Sequence, residues 1–135
     1  MKIIGIIGAG QMGAGIAQVS AQAGYDVLLS DVDITRAEAG KATVAKGLQR
    51  LVDREKIDAA TRDAVLSRIS PIAGSASFAS ADLVIEAATE REDIKRAIFN
   101  DVGKVLREDA ILASNTSSIP ITRMAQASPD PARFI

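Results

Sequence analysis

Six residues near the amino end carry the clearest chemistry in the chain: Gly8-Ala9-Gly10-Gln11-Met12-Gly13 match G-x-G-x-x-G. The motif directly follows the apolar run Ile3 to Ile7 and opens a helical pattern, the context in which it binds a dinucleotide. Gly8 permits a tight turn, Gly10 lets backbone approach a pyrophosphate, and Gly13 lets helix and strand pack closely. The helix start offers free N–H groups and partial positive charge to phosphates. Gly8, Gly10, Gln11, Met12 and Gly13 are therefore the expected cofactor turn. A plain glycine turn would match equally well without a second feature.

That feature is Asp31, 18 residues beyond Gly13 and at the end of a second apolar run. A carboxylate there can accept hydrogen bonds from both hydroxyls of the adenosine ribose and would repel a 2′-phosphate. Val32 beside it supplies no compensating cation, so NAD is favoured over NADP. Arg36 lies close in sequence, but on a helix it is expected to point to solvent. Asp33 is the better candidate for the helix cap.

The elements that must position these groups can be read from periodicity. Runs at 2–7 and 26–30 read as buried strands, 69–73 as strand-like, and 82–88 and 110–113 as further strands. Helical patterns cover 14–24, Asp33 to about Arg54, 59–68 with Asp58 as cap, and 91–107. In the last of these, Ile94, Ala97, Ile98, Val102 and Val105 are expected on one buried face. Ser118 can cap a short helix that tolerates Pro120 in its first turn, and 133–135 read as the opening of another strand. Alternating β and α elements predict an α/β fold, a Rossmann doubly wound parallel sheet, over 1–135. Strands two and three are separated by about 38 residues, far more than a crossover needs. The excess predicts a helical hairpin at about 33–68, standing away from the sheet.

Composition narrows the function. Hydrophobic residues make up 47% and charged residues 24%, as in ordinary globular domains. With 16 Lys+Arg against 17 Asp+Glu, the net charge of −1 gives no reason to expect nucleic acid. No apolar stretch suits a membrane span or a signal segment, so a cytoplasmic location is expected. The chain has no cysteine and no histidine, which removes thiolate chemistry and disfavours a metal site.

Across essentially its whole length the chain resembles the 3-hydroxyacyl-CoA dehydrogenases, a family that includes bacterial 3-hydroxybutyryl-CoA dehydrogenases. The resemblance rests on GAGQMGAGIAQ at 8–18, Asp31, DLVIEAATEREDIKRAIF at 82–99 and SNTSSIPIT at 114–122. It implies an NAD-dependent oxidoreductase moving hydride between a 3-hydroxyacyl-CoA and its 3-oxoacyl partner. It also implies that Glu90 and Lys95, in E-A-x-x-E-x-x-x-x-K, contact cofactor. On the residues alone, Glu90 would be an ordinary helix start and Lys95 an exposed-face lysine. Ser117 falls on the family serine that touches substrate and nicotinamide. The hairpin resembles the family's helical protrusion, which helps to hold coenzyme A.

On that hairpin Lys46, Arg50 and Arg54 recur at i, i+4 and i+8, and residues 34–68 carry 8 Lys+Arg against 5 Asp+Glu. The stripe is either a landing site for coenzyme A phosphates or a solvated helix face. The family's general base is a histidine a few residues beyond SNTSS, held by a glutamate. No histidine stands in this chain, so these residues alone are expected to bind cofactor without turnover. The expectation is part of a two-domain enzyme, whose further helical domain would complete the substrate site and form a homodimer. Two alternatives stay open: a non-catalytic NAD(H) sensor, and a 3-hydroxyisobutyrate or 6-phosphogluconate dehydrogenase-like enzyme. Acyl-chain preference and physiological direction have no signal in these residues.

Overall fold

The computed structural model describes residues 2–88 and 91–114. Five parallel strands, β1 (Ile3–Ile7), β2 (Asp26–Asp31), β3 (Ile69–Ala73), β4 (Leu83–Glu86) and β5 (Ile111–Ser114), form one sheet in the order β3-β2-β1-β4-β5. This is the doubly wound arrangement expected, with β1 at its centre. Chain reversal on either side of β1 opens a crevice at the carboxyl edge, where such sheets bind ligands.

One sheet face carries Ile4, Ile6, Val27 and Leu29, packed under α1 (Gln11–Gln22), α2 (Ile34–Asp53) and α3 (Ala59–Ser67). The other carries Ile7, Val84 and Leu112 under α4 (Glu92–Val105) and a short 3-10 helix, Ala76–Ser80. Phe78 of that 3-10 helix is buried against Gly5, where an added Cβ would stand 2.5 Å from the ring. The sequence pattern gave no sign of this element. Asp33 and Asp58 cap α2 and α3 as expected, accepting the N–H of Arg36 at 2.9 Å and of Thr61 at 2.7 Å.

Three expectations need correction. Helix α1 begins at Gln11, inside the glycine motif, so Gln11, Met12 and Gly13 form its first turn. The hairpin does not stand away from the sheet. Val44 and Leu48 of α2 and Val65 of α3 are buried in the same core as β1 and β2. Small residues allow the approach: a Cβ on Gly40 would lie 2.7 Å from the Ala9 Cβ, and one on Gly47 would lie 2.7 Å from Gln18. Arg62 then ties α3 to α2 by donating to Gln49 at 2.6 Å. Finally, α4 turns Lys95, Phe99 and Val102 inward and leaves Ile94 and Ala97 exposed. Among the described residues no helix is long and apolar enough to cross a membrane.

Candidate dinucleotide-binding site

The glycine turn has the geometry its three glycines demand. Gly8 adopts φ +104°, the left-handed region that favours glycine, and packs its Cα face on the backbone of Ala87 and Ala88. A Cβ on Gly13 would come within 1.6 Å of the Gly8 carbonyl oxygen, so β1 and α1 can close only with glycine there. Gly10 differs: among the described residues, apart from its chain neighbours, no atom lies within 4 Å of where its Cβ would be. It is also the N-cap of α1 and contributes no side-chain cap, unlike Asp33 and Asp58. The first turn of α1 thus has no side-chain cap on its N–H groups, which suits a pyrophosphate.

Asp31 is bonded to this turn. Its Oδ2 accepts the Ala9 N–H at 2.8 Å and its Oδ1 accepts the Val32 N–H at 2.7 Å. The carboxylate is therefore fixed in orientation and keeps lone pairs on both oxygens for ribose hydroxyls. A cleft of about 520 Å³ runs from Gly8 and Asp31 between the 3-10 helix and α4, walled on the α4 side by Ile94, Ile98 and Asp101. The apolar side chains Ile94 and Ile98 beside the carboxylate of Asp31 fit the adenosine end of a dinucleotide. The residues present fit NAD.

Arg36 is exposed, as expected, and also lines this cleft beside Asp31 and Val32. Lys95 is not on an exposed face. It is 1% exposed and donates to Glu86, itself 0% exposed, at the end of β4. Gln11 and Met12 are exposed in the first turn of α1. Lys46 and Arg50 on α2 and Arg54 at its C-cap are all exposed. Glu90, Ser117, Ser118, the helix expected near Pro120 and the strand expected at 133–135 lie outside the described residues.

Sequence reading passed over Glu86 and the cleft wall. Glu86 carried a usable signal, because a carboxylate in the apolar strand DLVIEAA must find a buried partner. Helical spacing places Ile94 and Ile98 on a core face; in the structure both line the cleft, Ile94 exposed and Ile98 also packed against the buried cluster of Phe78 and Phe99.

Fold and site together define a dinucleotide-binding Rossmann domain. A family model for the 3-hydroxyacyl-CoA dehydrogenase NAD binding domain matches residues 3–135. The chain belongs to this family, and NAD, favoured by Asp31, is the cofactor of the domain. It is 47% identical over 135 residues to a 3-hydroxybutyryl-CoA dehydrogenase of Bradyrhizobium diazoefficiens, covering all of this chain and 46% of that protein. It is 47% identical over 131 residues to a probable 3-hydroxybutyryl-CoA dehydrogenase of Deinococcus radiodurans, covering 97% of this chain and 47% of that one. The crystal structure of (S)-3-hydroxybutyryl-CoA dehydrogenase from Ralstonia eutropha superposes with a TM-score of 0.97 at 41% identity, over 100% of this chain and 48% of that chain. The chain thus spans about half the length of the relatives it matches. The family match removes the 3-hydroxyisobutyrate and 6-phosphogluconate alternative.

Proposed function

We propose that this domain holds NAD(H) for hydride exchange between a 3-hydroxyacyl-CoA and the corresponding 3-oxoacyl-CoA, with a short acyl chain such as the 3-hydroxybutyryl group. The observation that carries the reading is the turn open above Gly10 and bordered by Asp31, in a chain whose relatives are named for this reaction. NAD, when bound, supplies the hydride acceptor. Gly8, Gly10, Gln11, Met12 and Gly13 seat the pyrophosphate, and Asp31 binds the adenosine ribose.

Glu90 and Lys95 contribute to the cofactor site, as the family motif implies, Lys95 from its buried place on α4. Ser117 orients the reacting oxygen of the substrate. Its hydroxyl can hold that oxygen but is no base at neutral pH, and no histidine in these residues can take the proton. Lys46, Arg50 and Arg54, exposed and at one helical face, attract the coenzyme A phosphates. The setting is cytoplasmic, the active assembly is a homodimer, and nucleic acid is no partner.

The test joins residues 1–135 to the carboxyl half of the Ralstonia eutropha enzyme and assays acetoacetyl-CoA with NADH. The chimera should turn over. The 135 residues alone should bind NADH with no turnover above background, since a positioned acid–base group contributes about 10²–10⁴-fold. A chimera that binds NADH but is inert toward every acyl-CoA would favour the sensor alternative.

A further inference from the structure

Glu86 ends β4 with its side chain fully buried, and each of its oxygens is engaged. Oε1 accepts from Lys95 Nζ and, at 2.9 Å, from Ser114 Oγ; Oε2 accepts the Ala88 N–H at 2.7 Å. The sheet register explains the convergence, because Ile7, Glu86 and Ser114 stand side by side across β1, β4 and β5. Ala88 lines the cofactor cleft. Gly8, the first glycine of the motif, rests on this same turn: a Cβ there would stand 2.8 Å from both the Ala87 carbonyl oxygen and the Ala88 Cα.

Stability gives little reason to place a buried ion pair here. Removing two charges from water is costly, and an apolar pair of similar volume commonly holds a core as well or better. A carboxylate offers what an apolar side chain cannot: acceptors at both ends, in fixed directions, for a backbone N–H and a hydroxyl at once.

We propose that Glu86 is a positioning residue for the dinucleotide, presetting the Ala87–Ala88 turn on which Gly8 sits and tying that turn to Ser114 at the root of the Ser-Asn-Thr-Ser-Ser segment. The proposal rests on the NAD reading of the cleft. Asp31 then fixes the glycine loop from the β2 side and Glu86 fixes it, through the turn, from the β4 side.

The test is Glu86→Gln, which keeps the shape but offers an acceptor at one end only. Dissociation constants for NADH and ADP-ribose are measured well below the melting temperature of the variant, and melting is recorded separately. Both constants should rise together, by about tenfold or more, because ADP-ribose carries the pyrophosphate that the loop seats. Wild-type constants beside a lowered melting temperature would make Glu86 purely structural and overturn the proposal. A rise for NADH alone would overturn the action through Gly8. If the unmodified protein binds neither ligand, the NAD reading itself falls, which is a separate result. Should Glu86→Gln not fold, amide exchange at Ala88 in the unmodified protein decides. Slow exchange without cofactor supports a preset turn, and fast exchange that slows only with NADH overturns it.

Discussion

Asp31 and Ala9 are joined by a 2.8 Å hydrogen bond from the loop N–H to the carboxylate. The side chain proposed to bind the ribose therefore also fixes the loop. The domain should prefer NADH to NADPH in fluorescence titrations, and Asp31→Ala should cost NADH about 1–3 kcal/mol of binding while narrowing the preference. Equal affinities for the two cofactors in the unmodified domain would contradict this role for Asp31.

Exposed Lys46, Arg50 and Arg54 should matter for coenzyme A and hardly at all for folding. Replacing all three by Gln should weaken coenzyme A binding and flatten its dependence on salt. Melting should barely move, since exposed charges contribute about 0–1 kcal/mol each. A triple variant that keeps full affinity in the two-domain chimera would leave the stripe as solvated surface.

Glycines in the two helices nearest the site separate by their surroundings. Gly15→Ala meets no other described residue within 4 Å outside its own helix backbone and sits mid-helix in α1, so it should stabilise the domain by about 0.5–1 kcal/mol. Gly40→Ala meets the Ala9 side chain and carbonyl and should destabilise by about 1–3 kcal/mol while weakening NADH binding. Chemical denaturation of both variants reads the contrast, and opposite signs are the expected result.

At the far edge of the sheet, the N–H groups of Ile3 and Lys2, each 2.8 Å from Oδ2 of Asp82, hold that carboxyl well below the usual carboxylate range, helped by Arg107. A lowered folded-state pKa means that the unfolded chain takes up a proton first as pH falls. The stabilisation is thus complete above the ordinary Asp range and is lost as pH drops below about 4. Asp82→Asn should melt lower than the parent at pH 7, and the gap should close on acidification. A gap that stays constant from pH 7 to pH 3 would show that charge at Asp82 plays no part.

Most of the frame was legible because its signals are local. Strands buried on both faces read as unbroken apolar runs, and Asp33 and Asp58 announce helix starts by their chemistry. What escaped depends on which partner each residue meets in the fold, which its own type and spacing do not show. The inward face of α4 is centred on Lys95, and a lysine counts as solvent-facing until its buried carboxylate, nine residues earlier, is paired with it. Helix α2 was misplaced for a similar reason, since an excess of residues between strands says nothing of where they pack. Gly40 and Gly47 inside that helix were the available hint, because glycine mid-helix commonly marks a close approach.

The contact of Gly40 with Ala9 also sets the register of the hairpin. Of the atoms that exclude a side chain at position 40, one is the Ala9 carbonyl oxygen, 2.8 Å from the absent Cβ, and backbone cannot be trimmed by substitution. No change at residue 9 therefore licenses a larger residue at 40. Inserting or deleting one residue ahead of Gly40 would turn α2 by about 100° and bring Ala39 or Lys41 to the loop. The connection at 54–58, at the other end of the hairpin, lies outside this joint. Length can vary there with the nucleotide seat undisturbed, whereas the first two turns of α2 are indexed to the loop residue by residue.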